Sequence, residues 1–559
     1  MPLLLALLLL LSMLAGCGNS NKPMNTQPSA QQTENPPAQT SAPAEPAGPA
    51  IDEIVIGTTS VIEKAVRDEY NFDMLASGVS EMPLVYQDTT GQYHPLLASY
   101  DTKDATTWTY TIADGMKWSD GEPVTAEDIL FSLQYADENG GANFIEQTGE
   151  DGKVTKAKYI GYELSADKMS VSLTLASTNV RELSNMTSFR VMPKHIYEGK
   201  DTVTEAEARV GCGPYVFESF NKEAGTISFV VDPNYPKTPN VAKITYKLFG
   251  NEDTMYMALK QGDIDMVWAY STGVSAAYQD VLADSDSVTL ENVPAANAPT
   301  VLAFNNANGP FANEALRKAV AFALDYEAFK TYLGSKYAET PNAGFVPSTT
   351  VGYKETAKLE TNLDTAAQYM TDAGYTKNAD GFYADADGKV LSFTLTHRAD
   401  KVNQTGAAEL IKTQLEAFGI QVTLEPLDGD SYNAKTSNKF SENNITMEAA
   451  LYGYTSAGMG MGNGLATIYV DGSHAVQGGC QVYDEKFVAI RDEMAAATNI
   501  EKYNAAAAKM QDFYAENTPL LALYWDNMMY AYSFDFDNIT IDYVFGLSNV
   551  NNWFSITAK

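Results

Sequence analysis

The stretch that most constrains the fold is GMKWSDGEPVTAEDILFSL, residues 115–133. An aromatic strand end at Trp118 leads into a polar turn, and Thr125 then begins a helix with an apolar stripe. Thr125 can accept the backbone N–H of Asp128, whose carboxylate is favoured in the first turn by the helix dipole. The pattern predicts a strand–turn–helix joint that carries no catalytic side chain.

Length and composition set the class of protein. A chain of 559 residues exceeds what one hydrophobic core usually supports, so we expect two or three domains. Apolar residues make up 45% of the chain, which is enough for real cores. The net charge of −34 argues against a nucleic-acid partner, because phosphate binding needs a basic face. It also disfavours adsorption of the folded body to anionic lipid.

The N-terminus carries an apolar run that ends in Leu-Ala-Gly-Cys at Cys17. The run is too short and wrongly flanked for a stable membrane span. It resembles a bacterial lipobox, which implies a signal peptide over 1–17, cleavage before Cys17 and lipidation of that cysteine. A signal anchor is the alternative. Residues 18–50 have almost no large apolar side chain and are predicted to form a disordered tether.

The sequence lacks the motifs of several well-known enzyme classes. It has no phosphate-binding loop, no zinc-binding histidine motif and no nucleophile elbow, and its four histidines lie far apart. We therefore predict a protein that is not an enzyme, with no catalytic residues, no metal site and no cofactor. Cys212 and Cys480 show no disulfide spacing and are predicted to be free thiols, buried or half-buried.

Hydrophobic periodicity predicts a mixed α/β body. The segments 313–329 and 407–418 have helical periodicity, and Gly419 ends the second one as a left-handed cap before another strand. Helices and strands alternate in this part of the chain, which favours a mixed sheet covered by helices. Strand patterns occur earlier, at 51–60, 153–164, 169–176, 225–235 and 243–250, and residues 106–121 are predicted to form a strand and a turn.

Residues 100–135, which contain the opening stretch, resemble the signature region of the family 5 extracellular solute-binding proteins. These are the oligopeptide-, dipeptide- and nickel-type receptors of ABC importers. Further segments resemble the family in the same order, and together they cover nearly the whole body after residue 51. They lie at 83–100, 211–220, 232–249, 257–268, 301–325, 370–375 and 415–424.

The resemblance implies an α/β fold with mixed sheets: a bilobed, periplasmic-binding-protein-like body with an extra inserted domain in the first lobe. The opening stretch then builds the inserted domain, and its carboxylates are caps rather than ligands. Chain crossovers near 297–306 and 520–533 connect the lobes. The expected boundaries are 51–84, 209–298 and 528–559 for lobe I, 85–208 for the inserted domain and 299–527 for lobe II.

The resemblance also points to residues that line a cleft between the lobes. Cleft walls combine aromatic faces with a few directed polar groups. Asn305 can bond a peptide-like backbone, and Asp526 is the acid nominated for a cationic group. Each aromatic candidate has a packing role as its alternative. The full set is Trp268, Tyr270, Phe304, Asn305, Tyr452, Tyr454, Met459, Met461, Trp525 and Asp526. We expect Trp268→Ala and Trp525→Ala to weaken solute binding with little change in the melting temperature of the empty protein.

The segment YGYTSAGMGMGNG, residues 452–464, departs from the family pattern. Peptide-binding relatives tend to carry an aspartate in this region that pairs with the α-amino group of the ligand, whereas here no acid occurs before Asp471. Met459 and Met461 provide soft, adaptable walls. A glycine-rich loop with no ligand role is the alternative.

The predicted function is that of a lipid-anchored receptor on the extracytoplasmic face of a cell membrane, on the surface of a Gram-positive cell rather than in a periplasm. It captures a peptide or peptide-like small solute by hinge closure and delivers it to the permease and ATPase subunits of an ABC importer. The alternatives are a nickel or metal-chelate receptor of the same family and a signalling, pheromone-sensing lipoprotein.

Overall fold

The computed structural model describes nine stretches of the chain. The predicted signal peptide, Cys17 and nearly all of the tether lie outside these stretches, as do Tyr270, Met459 and Met461. In the described part, no helix is long and apolar enough to span a membrane. The stretches are 49–67, 69–149, 154–269, 273–348, 352–436, 445–455, 480–482, 484–542 and 544–559.

The strands and helices are numbered here in chain order over the described residues. The strands β1–β23 are Ile54–Thr58, Val85–Gln87, Tyr93–Pro95, Ala98–Thr102, Thr107–Ile112, Gln147–Thr148, Val154–Thr155, Tyr159–Leu164, Ser170–Leu175, Tyr215–Asn221, Thr226–Val231, Lys243–Leu248, Met266–Val267, Val288–Phe304, Thr376–Lys377, Tyr383–Ala384, Ser392–Arg398, Gln421–Leu427, Ala449–Thr455, Leu520–Ala522, Asp526–Ser533, Phe536–Asp537 and Thr557–Ala558. The helices α1–α14 are Tyr70–Ala76, Ala126–Glu138, Glu182–Met186, Lys194–Tyr197, Glu252–Gln261, Ala276–Ala283, Glu314–Ala323, Tyr326–Leu333, Leu363–Asp372, Val402–Phe418, Gly429–Thr436, Glu485–Ala495, Ile500–Asn517 and Val550–Ser555.

One eleven-stranded sheet runs through the body. Its strand order is β10-β11-β12-β1-β13-β21-β14-β19-β17-β18, and β20 also pairs with β14. β1 is parallel to both of its neighbours, and β17 is parallel to β18 and β19, whereas β14 is antiparallel to its partners. The sheet is therefore mixed, as predicted.

A separate four-stranded antiparallel sheet has the order β4-β5-β9-β8, and the opening stretch follows its strand β5. The prediction of a strand end at Trp118 is wrong, because β5 already ends at Ile112 and Trp118 lies in the connection to the helix. Helix α2 follows β5 and buries its apolar face in a core of its own with this sheet, where Trp118 is fully buried. Ser119 donates its backbone N–H to the carbonyl of Gly211 at 2.9 Å, which ties the turn to the chain that leads into β10. The stretch is a packing joint, as its sequence predicts.

Asp128 organises the start of α2. Thr125 and Asp128 form the predicted capping box, in which the buried carboxylate accepts the Thr125 N–H at 2.9 Å. Its other oxygen accepts the backbone N–H of Lys194, also at 2.9 Å, and so fixes the start of α4. The neighbouring Glu127 instead pairs with lysines near the surface.

The helical run predicted over 313–329 divides into two helices. Leu324 leaves the helical conformation, and the Asp325 carboxylate accepts the backbone N–H of Ala328 at 3.1 Å as a new N-cap. The prediction for 407–427 is confirmed: α10 ends at Gly419, whose φ of 114° is left-handed, and β18 follows.

Both cysteines of the folded body are free and buried, as predicted. Cys212 and Cys480 lie in different hydrophobic cores. Burial raises the pKa of each thiol to about 12, because an apolar environment disfavours the thiolate. Neither thiol is therefore activated as a nucleophile.

We predict that Asp128→Ala lowers the free energy of unfolding by about 2 to 3 kcal/mol, because two backbone N–H groups lose their acceptor. Urea titration followed by near-ultraviolet circular dichroism measures the change. Glu127→Ala in the same helical turn is the matched control and should change stability little. Equal losses in the two variants would contradict the assignment of Asp128 as the organising cap.

Candidate functional site

The two strands β14 and β21 connect the halves of the large sheet. Val288 to Val293 of β14 pair with β21, and the register then shifts before Asn297 pairs with Asp526. Pro294 and Pro299 lie in this part of β14 and have no N–H to give to the ladder. The ladder is thus weakest where the two strands cross from one half to the other.

Beyond this point β14 pairs with different neighbours. Val301 pairs with Ala522 of β20, and Ala298 pairs with Tyr454 of β19. The backbone of Trp525 directly precedes Asp526, the partner of Asn297. The fold therefore brings Trp525, Asp526 and the backbone of Tyr454 to one band across the sheet, at the crossover.

Trp525 is packed in an aromatic group. Its side chain is 2% exposed, and its ring lies 5.8 Å from that of Phe345, which in turn stacks on Tyr514 at 5.6 Å. Phe345 has a φ of +66°, an unusual and strained value for a bulky residue. The buried Trp525 Nε1–H has no hydrogen-bond partner among the described residues. Such a buried donor needs an explanation, since most buried polar groups in proteins are paired.

Asp526 is held by Ser335. Its carboxylate accepts the Ser335 hydroxyl at 2.5 Å and the Ser335 backbone N–H at 3.0 Å, and it also accepts the N–H of Asn527 at 2.8 Å. A carboxylate has about four acceptor positions, so these bonds leave room for about one further donor. The protein's own hydrogen bonds therefore fix the orientation of this side chain.

Trp268 lies on the other side of the crossover, just after β13. It is 3% exposed, and its ring packs edge-on against Tyr246 at 6.4 Å. It borders a cavity of about 10 Å³ together with Tyr530 and the loop at Phe545 and Gly546. That volume holds about one water molecule and is too small for a peptide.

Two other predicted residues, Phe304 and Asn305, lie away from this band. Phe304 is fully buried against Phe311, at 4.6 Å between ring centroids. Its position in β14 is six residues beyond Ala298, about 20 Å along the strand. Asn305 donates to the carbonyl of Met447 at 3.0 Å, and its Oδ1 accepts two backbone N–H groups, so it organises a turn. Tyr452 is buried in the core that also contains Trp525, and its hydroxyl donates to the carbonyl of Thr436 at 3.3 Å.

Because both tryptophans are buried, replacing them with alanine is expected to lower the stability of the protein. Trp268 and Trp525 are core residues in this conformation. Replacing either with alanine should therefore cost about 3 to 5 kcal/mol of stability, contrary to the expectation of an unchanged melting temperature. Phenylalanine is the appropriate replacement, since it keeps most of the ring volume and removes the N–H.

Sequence reasoning missed Phe345 and Tyr514. Neither residue lies in a recognisable motif, and they meet Trp525 only through tertiary packing. The strained φ of Phe345 is also invisible in the sequence.

The large mixed sheet, the separate four-stranded sheet and the two strands that cross between the halves define a mixed α/β periplasmic-binding-protein fold. Solved structures of such proteins superpose on this chain. ABC transporter substrate-binding protein CtaP from Listeria monocytogenes has a TM-score of 0.71 at 18% identity, covering 91% of this chain and 99% of that one. Oligopeptide-binding protein AppA from Bacillus subtilis, in complex with a nonapeptide, has a TM-score of 0.64 at 18% identity, covering 92% and 100%.

Residues 92–469 match the family model for bacterial extracellular solute-binding proteins, family 5 Middle. The chain belongs to this family, as its sequence predicted, and the family is one of binding proteins rather than enzymes. The nickel-binding periplasmic protein of Escherichia coli (strain K12) is 24% identical over 366 residues, which cover 63% of this chain and 66% of that protein. The chain thus spans just under two thirds of that relative's length.

Asp542 is a buried acid in the loop beside the small cavity at Trp268. Its carboxylate accepts the backbone N–H groups of Val544 and Phe545, both at 2.7 Å. Burial nevertheless raises the pKa of Asp542 from 3.8 to about 6. An acid with a raised folded-state pKa stabilises the fold fully below its unfolded pKa, and that contribution is lost as the pH rises through the folded value.

We therefore predict a lower melting temperature at pH 7 than at pH 5, with Asp542 contributing about 1 kcal/mol to the loss between these two pH values. Asp542→Asn keeps an acceptor for both N–H groups and should reduce this difference, as measured by calorimetry at the two pH values. Asp73, whose pKa burial also raises to about 6, should retain part of the slope. An unchanged slope in the variant would contradict the role of Asp542.

Proposed function

We propose that this protein is the solute receptor of an ABC importer. It captures a peptide or peptide-like small solute between two lobes, closes around it and delivers it to the permease and ATPase subunits. The observation that carries the proposal is the connection of the two halves of the sheet by β14 and β21, with the ladder interrupted between Val293 and Asn297. A narrow two-strand connection favours hinge closure.

The proposed lobes follow the sequence-based boundaries. Lobe I comprises 51–84, 209–298 and 528–559, and lobe II comprises 299–527. The inserted domain, 85–208, contains the four-stranded sheet and its separate core. Cores built from β1, β11 and β12 on one side and from β17, β18 and α10 on the other support this division.

The proposed solute offers a hydrogen-bond acceptor, such as a peptide carbonyl, to Trp525 Nε1–H. Asp526 receives a cationic group at its remaining acceptor position. Tyr270, Tyr454, Met459 and Met461 stay proposed contacts on sequence grounds, as does Trp268. The solved relative AppA holds a nonapeptide, which supports the peptide class.

A metal-chelate receptor is the second candidate, and the nickel-binding relative in Escherichia coli favours it. Over the described residues, no group of three or more histidine, cysteine and acidic side chains is placed to hold a metal ion. A chelate would be recognised through its organic shell, so the same polar contacts serve both candidates. A signalling lipoprotein, the remaining alternative, would also close around its solute but would not deliver it to an importer.

The anchor is proposed from the sequence. Lipidation at Cys17 would hold the body at the extracytoplasmic face of the membrane through the tether 18–50, on the surface of a Gram-positive cell.

Native mass spectrometry of freshly purified protein tests the function. We expect a retained solute, which denaturation releases as a peptide or peptide-like mass. A metal–chelate mass would select the second candidate. In a thermal-shift screen, a solute at 100 times its Kd should add about 2.7 kcal/mol of stability. Absence of stabilisation by every peptide and chelate tried would contradict both candidates.

Trp525→Phe is predicted to weaken binding of the identified solute about five- to fiftyfold, because an acceptor loses its buried donor. Isothermal titration calorimetry measures the change. Trp118→Phe, another buried tryptophan with the same replacement, lies in the inserted domain and should leave affinity unchanged. Equal affinities for the two variants would remove Trp525 from the site.

A further inference from the structure

A buried polar contact joins the inserted domain to helix α13. Arg181 donates from Nη1 to the hydroxyl of Tyr503 at 3.1 Å, and its guanidinium carbon lies 5.6 Å from the centroid of the Tyr503 ring. The two residues are 322 positions apart in the chain. They are 4% and 3% exposed. A charged donor, an oriented hydroxyl and an aromatic face therefore meet out of contact with bulk water.

The arginine is held firmly on its own side. Its backbone N–H donates to Asn179 Oδ1 at 3.0 Å, and Arg181 directly precedes α3. Burial raises the pKa of Tyr93 while the nearby Arg181 opposes the rise, so the guanidinium also lies beside the Tyr93 phenol. Val180 packs against both the core of the inserted domain and the core that contains Tyr503. The contact is therefore flanked by the apolar side chain of Val180, and the position of its donor, Arg181, is set within the inserted domain.

We propose that Arg181 and Tyr503 form a clasp that holds lobe II against the inserted domain in the closed arrangement. The inference rests on the proposed closure of the two lobes. It makes the inserted domain a participant in closure, in addition to lobe I. Arg181 and Tyr503 are positioning residues: they act on solute binding through the balance between open and closed forms, without contacting the solute.

The expected size of the effect is modest. In the open form both groups are hydrated, so loss of their hydrogen bond should shift the balance toward opening about three- to tenfold. A contact of this size shifts the equilibrium toward the closed form and leaves closure reversible. A receptor that must release its solute needs reversible closure.

Hydrogen exchange of the full, solute-free chain, followed by mass spectrometry, tests the clasp. We expect Tyr503→Phe to speed exchange about three- to tenfold at 179–187, although the substitution lies in α13. Arg181→Met should likewise speed exchange at 500–510, the segment that faces the substituted residue. Both should also speed exchange at the crossover, 292–300, which a purely local packing defect would not reach.

Two further variants sharpen the test. Arg181→Lys keeps a charged donor and should restore part of the protection. Tyr432→Phe removes another buried tyrosine hydroxyl bond, the one to the Leu451 carbonyl at 2.6 Å, within lobe II. It should leave 179–187 unchanged.

Deprotection confined to the substituted segment, or equal effects of Tyr503→Phe and Tyr432→Phe at 179–187, would overturn the proposal. Deprotection of both facing segments without any change at 292–300 would also overturn it, because the contact would then not restrain opening. No readout involves a solute, so failure to find one would contradict the proposed function and leave this result standing.

Discussion

The antiparallel pairing of β14 with β21 is the constraint on which the rest of the structure depends. This ladder keeps both halves of the body in one sheet, with β13 on one side and β19 on the other. Pro294 interrupts it because proline has no N–H to donate, and the register shifts before Asn297. Where the ladder is continuous, it fixes the order of the strands. Where it is interrupted, at the crossover, the proposed bending costs the least free energy. Both properties come from the same short stretch of backbone.

Much of the fold could be predicted because its signals are local. The alternation in Ser170–Leu175 places every second residue inside, and the structure buries them in that order. Gly419 ends a helix because left-handed φ suits glycine. Asp128 begins a helix because its carboxylate meets the exposed N–H groups there. The break at Asp325 was missed, although aspartate is a common N-cap, since the apolar stripe before it appeared to continue.

The site could be predicted only in part, because it depends on register between distant strands. The sequence placed the first crossover at 297–306. The ladder of β14 with β21 is irregular just before this range, between Val293 and Asn297, and the ladder of β14 with β19 is irregular within it, between Ala298 and Val301. From Val301 onward β14 pairs in regular register with β19 up to Phe304, whose ring is buried, and Asn305 shapes the following turn. Trp525 reaches the crossover because its neighbour Asp526 pairs with Asn297. No local pattern encodes that pairing, nor the meeting of Arg181 with Tyr503.

The strength of a single hydrogen bond limits how far the contact of Arg181 with Tyr503 can shift the proposed closure. Moving an equilibrium from 1:99 to 99:1 takes about 5.5 kcal/mol of differential binding, whereas a single intramolecular hydrogen bond supplies about 1 kcal/mol. The contact of Arg181 with Tyr503 therefore supports closure but is too weak to impose it. The buried Trp525 Nε1–H has no acceptor among the residues that the structure describes, and a buried donor without an acceptor costs about 1 to 3 kcal/mol. Under the proposed function, a solute carbonyl at this position would relieve that cost, so the atom proposed to recognise the solute would also couple its binding to closure.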